Sequence, residues 1–169
     1  MSKPSTTAYP PYFQKYIDQV PEEDLSTAFS NQAEELQAFL STITEEKSTY
    51  AYAAGKWTIK ELLQHIIDAE RIFCYRALCF ARGEKTSLPS FEENDYAANS
   101  FAGERKWNDI VKEFLIVRES TELLFKSFTD EALETIGLAN NKATSVASIG
   151  FIILGHYYHH KKILLERYL

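Results

Sequence analysis

The chain has only two cysteines, six glycines and five prolines in 169 residues. So little glycine and proline, together with the lack of an internal repeat, excludes a fibrous or low-complexity chain. The 45% share of hydrophobic residues instead predicts a compact globular protein. We expect one domain over residues 1–169, a length that can bury a substantial core.

The two cysteines are predicted to lie in one helix. Cys74 and Cys79 are about 140° apart around its axis, so they cannot form a disulfide with each other. Cys74 lies about 180° around this helix from His65, and Cys79 lies ~21 Å along it from the histidine. We therefore expect two reduced, partly buried thiols that do not share a metal ion with His65.

The sequence also lacks long hydrophobic runs. Its longest apolar run, residues 149–154, is interrupted by a glycine and is far shorter than the roughly 20 residues that a membrane helix needs. Residues 1–13 have neither an apolar core nor a small-residue cleavage site, so we expect no secretory signal. These features predict a cytoplasmic protein that does not enter a membrane.

Basic residues are outnumbered by acidic ones. The net charge is −6, and the lysines and arginines are scattered along the chain. Because nucleic-acid binding depends on clustered basic residues, we expect no nucleic-acid partner.

Hydrophobic residues recur at helical spacing in four segments, which are residues 26–43, 58–83, 104–126 and 145–169. The second helix has the clearest start, because Thr58 and Glu61 match a capping box and Trp57 and Leu62 match its hydrophobic staple. A shorter helical turn is predicted after Thr129. No segment convincingly predicts a strand, so the fold class is all-α, a four-helix bundle.

Two further segments are predicted to lie outside the four helices. Residues 1–24, which contain four of the five prolines, look like a lid or strap. The linker of residues 84–103 could extend up to roughly 66 Å, which is enough to cross a helix of about 36 Å. The third helix could therefore run parallel to the second. The aromatic residues Phe91 and Tyr96 in this linker suit the mouth of a pocket.

All four histidines fall on predicted helices. His156 and His160 are four residues apart, so they share one helix face at a chelating distance. His65 lies in the apolar stripe of the second helix and could supply a third ligand, which leaves a coordination position open. One such histidine is more often a hydrogen-bonded core residue, but three on inner stripes favour a metal site at His65, His156 and His160. His159 points about 60° away and is expected near the metal or at the surface.

These motifs resemble a known family. The sequences GKWTIKELLQHIIDAERIFCYRALCFARGE, LPSFEENDY and GHYYHHKKILLERYL are similar to those of the DinB-like (YfiT-like) superfamily of metal-dependent proteins. The most specific elements are the W-[ST]-x-K-E entry followed by His65, and the H-x3-H of His156 and His160. The resemblance covers nearly the whole chain.

The resemblance implies an up-down-down-up bundle with a long crossover between helices two and three. It also implies a divalent metal on His65, His156 and His160, and a homodimer. Related members are thiol-dependent S-transferases that use bacillithiol or mycothiol, and others resemble glutathione- or mycothiol-dependent isomerases. A cytoplasmic enzyme that acts on a small-molecule substrate is thus expected.

The chemistry of such a site is left open by the ligands alone. A metal on three imidazoles could ionise a bound low-molecular-weight thiol for transfer, or a bound water for hydrolysis. A non-catalytic bundle that binds metal or a partner protein is the third alternative. We expect zinc, with nickel, iron, manganese or copper as alternatives.

Charged residues near His65 have two interpretations each. Glu61 and Asp68 could orient the imidazole, although capping or solvation is the simpler role. Arginines on the same helix could clamp an anionic thiol, but we expect them to anchor the crossover loop through Glu92, Glu93 or Asp95, or to form surface ion pairs. These arginines are Arg71, Arg76 and Arg82.

Overall fold

A computed structural model describes residues 2–169. In chain order its helices are α1 (Gln14–Ile17), α2 (Leu25–Leu40), α3 (Glu45–Ser48), α4 (Ile59–Ala81), α5 (Glu93–Asn99), α6 (Trp107–Lys126), α7 (Asp130–Glu134) and α8 (Val146–Arg167). Two short strands, β1 (Ile136–Ala139) and β2 (Lys142–Ser145), and two 3-10 turns, Pro11–Phe13 and Ala102–Glu104, complete the secondary structure. The four long helices α2, α4, α6 and α8 are the four that the sequence predicts. None of the described helices is long and apolar enough to cross a bilayer.

Helices α4 and α6 run in the same direction. Near their starts, Lys60 Nζ donates to the Arg105 carbonyl at 2.7 Å. Near their ends, Cys74 Sγ lies 3.2 Å from Thr121 Oγ1. Contacts at both ends between residues in the same order require a parallel pair, so the predicted crossover is confirmed.

Helices α2 and α8 form the second parallel pair and run opposite to the first. Leu25 packs beside Gly150 at their starts, and Glu35 pairs with Lys161 further along. At the end of α8, Tyr168 OH donates to the Trp57 carbonyl just before α4 begins, at 2.8 Å. The bundle is therefore up-down-down-up, as expected.

The hairpin corrects the expectation that the chain holds no strand. Strands β1 and β2 are antiparallel, with Ile136 opposite Ser145 and Ala139 opposite Lys142. Asn140 and Asn141 form the turn with positive φ values of 51° and 58°, which suits a two-residue hairpin because asparagine tolerates the left-handed region. The crossover also pairs with this hairpin, since Leu88 N donates to the Leu138 carbonyl at 2.9 Å.

Helix starts follow the predicted capping residues. Thr58 and Glu61 form the capping box of α4, and Thr129 caps α7 through the Ala132 amide. Ser145, the residue before α8, accepts from the Ser148 amide. Helix α6 begins three residues later than predicted, because residues 102–104 form a 3-10 turn instead.

Gly155 allows the amino-terminal strap to lie directly on α8. A Cβ atom at this position would overlap the backbone carbonyl group of Tyr16. Glycine inside a helix costs about 1 kcal/mol relative to alanine, so its presence here reflects the close approach. The contact places Tyr16 beside the residue that follows Gly155, which is His156.

We predict that Gly155→Ala lowers the free energy of unfolding by roughly 1–3 kcal/mol, as expected of overpacking, despite the better helix propensity of alanine. Urea denaturation measures this. Gly103→Ala is the matched control, because a Cβ atom there meets nothing within 4 Å. An equal or higher stability of Gly155→Ala would contradict the close approach of the strap.

A buried ion pair lies at the centre of the bundle. Arg118 on α6 donates to both carboxylate oxygens of Glu70 on α4, at 2.9 and 2.8 Å, and each side chain is 2% exposed. Arg118 also donates to Gln32 Oε1 on α2, and Gln32 Nε2 donates to the Leu154 carbonyl on α8 at 3.1 Å. One chain of hydrogen bonds therefore connects all four long helices.

We predict that Glu70→Gln destabilises the protein by about 3 kcal/mol or more, because it leaves the Arg118 charge buried without a counter-charge. The free energy of unfolding from urea titration measures the effect. Arg71→Gln is the control, since Arg71 pairs with Glu113 on the same two helices but is half exposed and should cost at most about 1 kcal/mol. Equal effects of the two substitutions would refute a central role for the buried pair.

Candidate metal centre

Three histidines from two antiparallel helices converge at one point. His65 lies on α4, and His156 and His160 lie one turn apart on α8. The Nε2 atom of His156 is 3.2 Å from Nε2 of His65 and 3.0 Å from Nε2 of His160. Ligand atoms of all three lie within 4.8 Å of one another, which is compatible with a single metal ion. The structure thus brings together the three residues that the sequence analysis predicted to be metal ligands.

Two of the three spacings, those from His156 to His65 and to His160, are close to the spacing around a tetrahedral ion. Nitrogens bound to zinc at 2.0–2.1 Å are about 3.3 Å apart in a tetrahedron. Among residues 2–169, the Nε2 atoms of His65 and His160 have no hydrogen-bond partner other than Nε2 of His156, and one ion would engage all three. Because buried polar atoms are normally well paired, this geometry favours a role for the rings as ligands over one in packing alone.

Burial keeps the three rings neutral. Desolvation lowers the pKa of His65 to about 4, and it lowers the pKa of His156 and of His160 well below the ordinary value. The proximity of the other histidines depresses the pKa of His156 and His160 further. Neutral imidazole is the form that coordinates metals, so the site is ready to bind an ion at neutral pH.

Aromatic side chains surround the cluster. The Trp57 ring packs on His65 with centroids 4.9 Å apart. Tyr16 of the strap meets His156 edge-on at 5.5 Å, and Phe73 meets the same histidine at 6.4 Å. These contacts fix the ring orientations and exclude water from much of the site.

A pocket of about 280 Å³ opens beside His65 and His156. Its walls are largely aromatic and aliphatic, and they come from the strap, the crossover, the hairpin and helices α4 and α8. Side chains that line it include Tyr16, Phe73, Phe80, Phe91, Ile149 and Ile152. The predicted place of Phe91 at the pocket is confirmed, whereas Tyr96 stacks on Phe91 and does not line it.

Comparison with protein families decides the family. A family model described as the DinB superfamily matches residues 28–164. This chain belongs to the DinB superfamily. No curated protein matches its sequence.

Two solved structures share the DinB superfamily fold of this chain. One is YfiT from Bacillus subtilis, which is described as a probable metal-dependent hydrolase with an unusual four-helix bundle topology. It is 14% identical to this chain with a TM-score of 0.73, and the match covers 97% of this chain and 90% of that one. The other is a mycothiol-dependent maleylpyruvate isomerase, 11% identical with a TM-score of 0.63, where the match covers 88% of this chain and 58% of that one. At these identities the likeness concerns the fold.

The remaining sequence candidates lie outside the histidine cluster of this DinB superfamily protein. His159 is partly buried and packs edge-on against Tyr16, with ring centroids 5.2 Å apart. Glu61 bonds to Thr58 in the capping box, and Asp68 accepts from Gln64 at 2.9 Å. Neither acid contacts His65, so the capping interpretation of Glu61 is the one the structure supports.

The arginines and cysteines of α4 are also assigned. Arg71 forms its ion pair with Glu113. Arg76 anchors the crossover as expected, but by donating to the Pro89 carbonyl at 2.8 Å and not through Glu92, Glu93 or Asp95. Both cysteines are free and partly buried, as predicted. The sequence analysis did not predict that the strap forms one wall of the site. The glycine at position 155, next to His156, is the sequence signal that another segment packs closely there.

We predict that the metal-free protein loses stability as the pH falls from 7 to 5. The folded pKa of His65, about 4, is below the ordinary value of 6.5, so the unfolded chain binds more protons across this range. His65 alone contributes a loss of roughly 2 kcal/mol. Urea titrations at both pH values, compared with His65→Asn, separate this loss from that of carboxylates; an identical pH dependence in the variant would contradict it.

Proposed function

We propose that this protein is a metal-dependent enzyme that activates a low-molecular-weight thiol and transfers it to an electrophilic small molecule. The observation that carries the proposal is the convergence of three neutral Nε2 atoms beside an apolar pocket. Zinc is the proposed ion, because imidazole suits it and the site offers three nitrogens.

The chain's own residues would have three tasks in this reaction. His65, His156 and His160 would hold the ion and leave one side facing the pocket. A divalent ion there supplies a Lewis acid that lowers the pKa of a bound thiol to give a thiolate at neutral pH. The aromatic walls would exclude water and orient the electrophile against the sulfur.

The surroundings of the histidines favour a thiol over water. Within residues 2–169, no carboxylate contacts any of the three rings, and Glu61 and Asp68 are bonded elsewhere. A metal ion can ionise either ligand, but attack by a metal-bound water is commonly assisted by a positioned base, whereas a metal-bound thiolate needs none. The apolar walls also disfavour bulk water near the reacting atoms.

Hydrolysis is the second candidate, because the Bacillus subtilis structure with the same bundle is described as a probable metal-dependent hydrolase. It predicts turnover of activated esters or amides without any thiol. A non-catalytic bundle is less well supported, because the histidine cluster borders a pocket that can hold a small molecule. The predicted homodimer and cytoplasmic location remain part of the proposal.

We predict that the zinc-loaded protein accelerates conjugation of a low-molecular-weight thiol to an alkylating fluorophore, and that His160→Ala lowers the rate at least about 100-fold. Cysteine, glutathione, bacillithiol and mycothiol are the thiols to compare, with thioether formation measured by fluorescence. His159→Ala is the matched control and should keep most of the rate. Ester hydrolysis that needs no thiol would favour the second candidate, and no metal-dependent rate in either assay would contradict both.

A further inference from the structure

The pocket beside the histidines carries a positive charge although the protein as a whole is acidic. Arg76 and Lys142 line it, and Glu93 is the acidic residue among its lining side chains. Two cations against one carboxylate give this lining a formal charge of +1 with neutral histidines, whereas the chain carries −6. A pocket whose charge opposes that of its protein favours an anionic ligand.

Arg76 is the better placed of the two cations. It is partly buried on the same face of α4 as His65, about three turns further along. Its guanidinium lies 5.8 Å from the Phe73 ring centre and 5.9 Å from that of Phe91. Lys142 is exposed on β2. A guanidinium held between two aromatic walls is oriented, whereas an exposed lysine is mobile.

No carboxylate pairs with Arg76 among residues 2–169. Its one hydrogen bond within the protein goes to the Pro89 carbonyl. By contrast, Arg71 on the same helix and the buried Arg118 on α6 each have a glutamate partner. Since a guanidinium has five N–H donors, Arg76 retains donors for a ligand in the pocket. Burial lowers the pKa of Arg76, which fits a cation without a partner, yet the group stays charged at neutral pH.

We propose that Arg76 binds the carboxylate of a small-molecule ligand whose apolar part lies among the aromatic residues of the pocket. The planar fork of arginine matches a carboxylate, and the aromatic walls suit an aryl or alkyl body. This inference rests on the proposed function only where it identifies the ligand as the substrate or the thiol of that reaction. Binding itself does not require the metal.

The test compares two probes of nearly equal shape, 3-phenylpropanoate and the uncharged 3-phenylpropan-1-ol. Isothermal titration gives the dissociation constant of each, first after chelator treatment and then with one equivalent of zinc. We expect the metal-free wild type to bind the carboxylate about tenfold or more tightly than the alcohol, and the preference to fall as salt rises. Arg76→Gln should bring the ratio of the two constants close to one.

The ratio separates a ligand contact from a structural role. If Arg76 served only to hold the crossover through Pro89, Arg76→Gln would weaken both probes equally and leave the ratio unchanged, which would overturn the proposal. Arg71→Gln, on the same helix but paired outside the pocket, is the control and should keep the wild-type ratio. Arg76→Lys should keep part of the preference because it keeps the charge.

Two other results would also overturn the proposal. These are a wild type that does not prefer the carboxylate, and a preference that appears only with zinc, since the carboxylate would then bind the ion. A charge preference that depends on Arg76 in a protein that binds no metal would support this inference while the proposed function failed. The two hypotheses are therefore tested separately.

Discussion

A single chain of buried hydrogen bonds holds the four long helices in register. Glu70 on α4, Arg118 on α6, Gln32 on α2 and the Leu154 carbonyl on α8 follow one another in this chain. Glu70 lies five residues after His65 on α4, and Leu154 lies two residues before His156 on α8. The same contacts that fix the bundle therefore fix where the histidine-bearing turns of α4 and α8 meet. A slip of one turn, about 5.4 Å, would separate their Nε2 atoms beyond the reach of one ion.

The parallel pairing of helices has consequences for the pocket. Because α4 and α6 run in the same direction, the chain must cross the bundle between them. This crossover brings Phe91 into the wall of the pocket and the Pro89 carbonyl to Arg76. The strap and the hairpin close other sides, each through a backbone approach that glycine permits, at Gly155 against Tyr16 and at Gly137 against Phe80. A pocket with neutral histidines, aromatic walls and one arginine without a carboxylate partner follows from this topology. Such a pocket combines ligands for an ion with recognition of an anionic organic molecule.

Much of the fold could be predicted from the sequence because its signals are local. The capping box of Thr58 and Glu61 and the four-residue spacing of His156 and His160 depend on one helix each, and both are found in the structure. The structure also places His65 beside this pair, as its position on the inner stripe of its own helix indicated, and its role as a metal ligand stays a prediction. The hairpin was missed because its strands are only four residues each, although the Asn140–Asn141 turn could have indicated it.

Other features could not be predicted because they depend on tertiary contacts. Nothing local to Arg118 or Glu70 indicates that they pair at the centre of the bundle, since arginine and glutamate usually lie at the surface. Likewise, Arg76 and Arg71 look equivalent in the sequence, yet one lines the pocket and the other pairs with Glu113 on the outside. The position of the strap over His156 follows from the packing of Tyr16 on Gly155, which joins residues far apart in the chain.

The most direct test of the account is X-ray absorption at the zinc edge, on untagged protein loaded with one equivalent of zinc. The account predicts three imidazole nitrogens at about 2.0–2.1 Å and one further light atom, with a sulfur at about 2.3 Å replacing that atom when a small thiol is added. A sulfur ligand before any thiol is added, or an unchanged spectrum in His156→Ala, would contradict a three-histidine site that is open to the pocket.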